Sequence, residues 1–450
     1  MFYNCLNRIP LEGDETVLAN PTEIQIFSGT GTYFAVPTDS NVLPEHAFEG
    51  FTELEEVFIP KAITKLSADV FAPCKNLKKI VWQTKSSSTK KKNAPWGAPS
   101  TCQVEFNVKA TPKVVEQDVT YLSDDTIYPV EVPDNSETVN ATNYHDEMLK
   151  LLTEIRQYSK KINYPSMIMI GNGGINIYEP NSTYNWTQDK IKKLGEVMDG
   201  ACIEDVWYGT DKNWNIADDK PTPASFTKEF LSYIQMAQNV GVTPFILDYA
   251  STPANVTDFY NKCTEHGFNG YCSYYRELCS IPTEPIFQKN DNAIYDFKDI
   301  KSYFALLNPN FDENPQFSSK EDYIEKLSKS NADLLILDIF YGDDVLKTTD
   351  VKKLKHKPNG KLRKIIAYCS LGEAEDYRPY WNSEWSVTMP NWIDKENPDW
   401  KGNYKVKFWT NEWKKILFGT RDSYIDTIMR LGFDGLFLDV IDAYEYFEEN

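Results

Sequence analysis

Eight short apolar runs along the last two thirds of the chain constrain its fold more than any other feature. They occupy residues 166–170, 201–207, 242–248, 268–274, 300–306, 333–339, 364–370 and 434–440. Each is too short for a buried helix and suits a strand covered on both faces. Helical stretches separate most of them. Residues 143–162 carry Met148, Leu151, Leu152, Ile155 and Tyr158 on one face, and residues 224–239, 319–329 and 411–430 also read as helices. Strand and helix alternating in this way over residues 143–450 predict an α/β fold, a (β/α)8 TIM barrel. The rival is an open, doubly wound sheet. No G-x-G-x-x-G follows any run, which weakens the dinucleotide-binding form of that rival.

The last run is followed at once by Asp439, Asp442 and Glu445. Barrel strands present catalytic groups at their C-terminal rim, so acids at this place are candidates for chemistry. The run stands at the point where a barrel strand hands over to a helix. The helix at 143–162 reads as its continuation.

The chain carries a net charge of −19, which disfavours binding to a phosphate backbone and suits a cationic ligand. The 11 Trp, 27 Tyr and 24 Phe suit aromatic-lined clefts. No C-x-x-C and no Cys/His cluster at metal spacing is present, so no metal or other cofactor is expected. Cys202, Cys272 and Cys369 fall in predicted strands, whereas disulfides among Cys5, Cys74, Cys102, Cys263 and Cys279 stay open. No signal peptide and no transmembrane span is visible.

Residues 1–112 follow a different rhythm. AFEGFTELEEVFIP and VFAPCKNLKKIVW align with a period of 23, pairing Phe48 with Phe71, Phe51 with Cys74, Leu54 with Leu77 and Val57 with Ile80. This is leucine-rich-repeat spacing, with one short strand per coil. The stretch resembles surface-antigen-type leucine-rich repeats, which would offer a protein or glycan contact. Residues 113–142 are polar and aperiodic and read as a linker to the 143–450 barrel.

Four segments together resemble the glycoside hydrolase family 114 group, the endo-α-1,4-polygalactosaminidases and their relatives. They are LLILDIFYGDD (334–344), SLGEAEDYRPYW (370–381), NPDWKGNYKVKFW (397–409) and FDGLFLDVIDAYEY (433–446). In that family these segments form the N-terminal half. The family's C-terminal half is matched here by Asn172-Gly173, the run IEDVWY at 203–208, Leu247-Asp248-Tyr249, Gly267-Phe268 and Arg276-Glu277-Leu278. Those residues come first in this chain. The resemblance therefore implies a circularly permuted barrel whose former ends are joined through 279–293. The alternative is the tail of one barrel followed by the head of another. Gly171 and Gly174 depart from the family's Gln and Glu, which puts part of the substrate contact in doubt.

The resemblance implies an endo-acting glycoside hydrolase that cleaves a galactosamine-containing polysaccharide, at an extracellular or cell-surface location. Such hydrolysis needs two carboxyl groups flanking the scissile bond. The expected pair is Asp439, as nucleophile, and Glu204, as general acid/base. Asp338, Glu373, Asp248, Asn172, Tyr208, Tyr249, Tyr377, Arg276 and Asp442 are expected to contact substrate. The alternative function is a non-catalytic carbohydrate-binding or adhesive surface protein that works through its repeats. The glycines at 171 and 174 leave room for it.

Overall fold

A computed structural model describes residues 54–110 except 62 and 88–92, and residues 142–449 except 163, 210–215, 284, 285 and 312–314. Residue 48 and four short strand pieces nearer the N-terminus complete the described part. The linker at 113–142 lies outside it apart from Thr142, as do Phe51 and Cys5. The chain divides into two compact units, 1–126 with 159–166 and 127–158 with 167–450.

The second unit is built on eight strands, numbered here within that unit. They are β1 (Ile168–Asn172), β2 (Gly200–Glu204), β3 (Thr243–Tyr249), β4 (Asn269–Ser273), β5 (Tyr303–Leu306), β6 (Leu334–Leu337), β7 (Lys364–Ser370) and β8 (Gly435–Asp439). Each expected apolar run contains or overlaps one of them. Nearly every strand residue is buried, which is why the runs lack the alternation of a half-exposed sheet. The strands form one parallel sheet in the order β4-β3-β2-β1-β8-β7-β6-β5. The outer strands β4 and β5 approach within 8 Å of each other, so the sheet curls to near closure. The unit is thus an α/β fold with a nearly closed, eight-stranded parallel barrel.

The centre of the sheet joins distant parts of the sequence. β8 pairs with β1, Gly435 opposite Ile168 and Leu438 opposite Gly171. β1 pairs in turn with β2, Gly200 opposite Ile170. Parallel strands share one C-terminal rim, so Asn172, Glu204 and Asp439 reach the same end of the sheet from three neighbouring strands.

Helix α1 (Tyr144–Lys161) buries Met148, Leu151, Leu152 and Ile155 completely, the stripe its spacing predicts. Helix α2 (Gln188–Val197) follows β1, α3 (Ala224–Asn239) follows β2 and α4 (Pro253–His266) follows β3. The single helix expected over 411–430 is two, Asn411–Leu417 and Tyr424–Leu431. Between them Phe418 turns extended and packs its ring 5.5 Å from Tyr158. Gly419 follows at φ 109°, a conformation that costs glycine little. Among the described residues no helix is long and apolar enough to cross a membrane.

In the first unit, strands Tyr33–Ala35, Glu56–Ile59, Lys79–Trp82 and Gln103–Phe106 stack in parallel. Tyr33 lies opposite Glu56, Glu56 opposite Lys79, and Lys79 opposite Gln103. Phe48, Leu54, Val57, Phe71, Cys74, Leu77 and Ile80 form one core. The ring of Trp82 meets that of Trp96 edge-on at 5.6 Å, and its indole N–H donates to the Ile63 carbonyl at 3.1 Å.

Candidate active site

Asn172 ends β1 and is almost fully buried. Its amide nitrogen donates to Glu204 Oε1 at 2.9 Å and to Asp439 Oδ1 at 2.8 Å. Two bonds of 2.9 and 2.8 Å from one nitrogen hold the two carboxylate oxygens no more than 5.7 Å apart. The expected pair is therefore brought together at the rim, with one buried amide between its members.

The two carboxyls have unlike surroundings. Glu204 Oε2 accepts from the Tyr249 hydroxyl at 2.5 Å and forms an ion pair with Arg276 at 3.0 Å. Arg276 also donates to the Tyr249 oxygen at 2.6 Å and stacks over its ring at 4.3 Å. Glu204 is thus held by a guanidinium and two further donors. Among the described residues no cation pairs with Asp439. Burial pushes its carboxyl up to about 6, opposed by donation from Asn172 and reinforced by the charge of Glu204. The Val440 N–H donates to Asp439 Oδ1 at 2.9 Å.

The turn after β2 fixes Glu204. Asp205 bends the chain at φ 59°. Asp248, wholly buried, then accepts from the backbone N–H groups of Val206, Trp207 and Tyr208 at 2.8 to 2.9 Å. Burial pushes Asp248 up to about 8 against the pull of these donors. Asp248 was expected to contact substrate. Its oxygens are instead spent on this turn, which they brace from below.

Other expected residues are also engaged elsewhere. Tyr249 is fully buried and leaves no ring face for a sugar, so its part is to orient Glu204. Tyr208 donates to Asp258 on α4 at 2.6 Å, with Lys262 over its ring at 5.1 Å. Asp338 is held by both terminal nitrogens of Arg378, at 2.9 and 2.8 Å. Glu373 accepts from Asn397 at 2.8 Å and Asn403 at 3.2 Å, with Lys405 at 3.4 Å. Tyr377 is exposed and donates to Glu375 at 2.7 Å. Asp442 lies against the Asn-Gly-Gly turn, where a Cβ on Gly174 would come within 2.8 Å of its own Cβ. Glycine at 174 is what lets Asp442 approach, and burial beside Asp439 and Glu445 pushes its carboxyl up to about 7.

A cleft of about 490 Å³ opens at Glu204. It runs between the turn Gly173–Asn176, Glu445, and Phe226, Glu229, Phe230 and Tyr233 of α3. Arg378, which also binds Glu375 at 2.7 Å, and the α3 face were not singled out by the sequence reading. Arg378 carried one usable signal, its place inside the acidic segment SLGEAEDYRPYW.

Residues 314–450 match the model of glycoside-hydrolase family GH114. The matched segment contains β6, β7 and β8, and with them Asp338, Glu373, Tyr377, Asp439 and Asp442. Asn172, Glu204, Tyr249 and Arg276 lie outside it, on or after strands that the same sheet carries. The chain is similar to an uncharacterized protein of Methanocaldococcus jannaschii, 44% identical over 128 residues, which is 28% of this chain and 35% of that one. An uncharacterized protein of Thermotoga maritima is 48% identical over 84 residues, 19% of this chain and 25% of its own length. One of Deinococcus radiodurans is 43% identical over 83 residues, 18% and 26% of the two lengths. The chain thus matches about a quarter to a third of the length of these relatives. The family match thus covers the C-terminal part of the chain.

Proposed function

We propose that the barrel is an endo-acting glycosidase for a galactosamine-containing polysaccharide and that Glu204 and Asp439 are its catalytic pair. The observation that carries this reading is the amide of Asn172, shared by two carboxylates from different strands. A separation of 5.7 Å or less fits the ~5–5.5 Å of retaining glycosidases and falls short of the ~6.5–9.5 Å of inverting ones.

The unlike surroundings divide the labour. Arg276 and Tyr249 hold Glu204 by an ion pair and a hydrogen bond, whereas burial favours a proton on Asp439. These contacts support the reverse of the roles expected from the sequence. Asp439 gives its proton to the glycosidic oxygen as the C1–O bond breaks, and Glu204 attacks C1 to form a glycosyl ester. Asp439, now a carboxylate, takes a proton from water. The water oxygen attacks C1, the ester bond breaks and Glu204 is restored.

The reading extends to the rest of the chain. The pairing of β8 with β1 supports a circularly permuted barrel over 143–450. Lys357, fully buried, donates to the carbonyls of Asn290 and Asn292, which ties the end of the proposed joint at 279–293 to the sheet. Parallel strands that advance one coil per repeat support leucine-rich repeats in 1–112 that contact protein or glycan at a cell surface. The test is incubation of the full chain with partially deacetylated galactosaminogalactan. Release of oligosaccharides is expected. Binding of the polymer without any release would favour the adhesive alternative.

A further inference from the structure

Helix α3 turns an unexpected face to the cleft. Phe226, Glu229, Phe230 and Tyr233 stand at i, i+3, i+4 and i+7, one stripe of the helix, and all four line the space beside Glu204. Such a stripe normally packs onto the sheet. Here the buried residues of α3 are Ile234 and Ala237, farther along, while the helix lies against the short turn Ile175–Tyr178. Phe226 is 54% exposed, although it is a large apolar side chain at the mouth of a cavity.

The cleft also holds carboxylates that no cation among the described residues pairs with. Asp338 and Glu373 are engaged by Arg378 and Lys405, and Glu204 by Arg276. Glu229 accepts from the Tyr233 hydroxyl at 2.7 Å, and Glu445 accepts from the amide of Asn176. Among the described residues no ion pair engages either of them. Aromatic faces on the α3 wall, with Glu229 beside them and Glu445 facing them, suit a ring that is apolar on one side and bears an ammonium. A volume of about 490 Å³ is of the size that encloses a small ligand.

We propose that the α3 wall of the cleft is a second glycosyl subsite, selective for a hexosamine unit with a free amine, in which Phe226 carries the sugar ring and Glu229 and Glu445 hold its ammonium. The proposal rests on the glycosidase reading for the polymer that passes through the cleft. It adds that selection for the deacetylated unit is made here, beside the catalytic pair, and not by Asp338 or Glu373.

The test separates binding from turnover. Full-length chain carrying Asp439→Asn is titrated calorimetrically with a galactosamine tetrasaccharide and with its fully N-acetylated counterpart, alone and with Phe226→Ala or Glu229→Gln added. Both side chains are exposed enough that neither change disturbs the core, and thermal melts check this. The expected result is a loss of ten-fold or more for the free-amine ligand in both variants. Glu229→Gln should leave the N-acetylated ligand unaffected. The proposal is overturned if the parent binds neither ligand, if both variants bind as the parent does, or if Glu229→Gln weakens the two ligands equally. If these losses are seen while the wild-type chain releases no oligosaccharide from polymer, the subsite stands and the glycosidase reading falls.

Discussion

Asp439 lies 267 residues beyond Asn172 in the chain, yet a 2.8 Å hydrogen bond joins them, made possible because β8 and β1 are neighbours in the sheet. The same nitrogen reaches Glu204, so Asn172 bridges the two carboxyls and limits their spacing. Asn172→Ala should lower kcat/KM by about 10²-fold or more, the scale seen when a preorganised donor is removed from an active site. Ground-state binding of an oligosaccharide should change much less, which a KM-against-kcat comparison reads.

The pH dependence follows from Asp439. As the proton donor it must be protonated, and its carboxyl is pushed up to about 6. Activity should therefore hold below about 6 and fall about tenfold per pH unit above it. Donation from Asn172 lowers this pKa, so in Asn172→Ala the falling limb should move to higher pH. If Asp439 served as nucleophile, activity would be lost as pH falls through the same range. A kcat/KM profile between pH 4 and 8 distinguishes the two signs.

The short separation of the carboxyls predicts the stereochemistry. Proton NMR of the first product, taken before mutarotation, should show the anomer of the substrate linkage. The opposite anomer would mean that water attacks directly, with the pair farther apart in the working complex.

Asp248 makes a stability prediction that is separate from catalysis. Asp248→Ala leaves three backbone N–H groups without this acceptor, two of them buried and each worth about 1–3 kcal/mol. A destabilisation of about 3–5 kcal/mol is expected, read from the midpoint of chemical denaturation. A midpoint equal to that of the wild type would show that the turn after β2 does not depend on this carboxylate.

The strands were legible because parallel strands buried on both faces read as unbroken apolar runs, and 364–370 is a case where run and strand coincide. The candidate pair was legible only through motifs, since nothing local in IEDVWY or FLDVID says that they meet. What the sequence hid was pairing at a distance. Asp338 and Glu373 look like free rim acids until Arg378 and Lys405 arrive from later segments. Tyr249 looks like a stacking platform until the sheet buries it. The stripe of Phe226, Phe230 and Tyr233 has the spacing of a core-facing helix, so its exposure to a cleft had no signature in one dimension. The break in the helix at 411–430 was hidden for a similar reason, because Phe418 leaves the helix for a tertiary contact with Tyr158.

The most direct test of the pair is the rate at which reducing ends are released from partially deacetylated galactosaminogalactan by the wild-type chain and by Glu204→Gln and Asp439→Asn. Each variant should lose about 10³-fold or more of the wild-type rate while melting as a folded protein. Turnover near the wild-type rate in either variant would contradict the assignment.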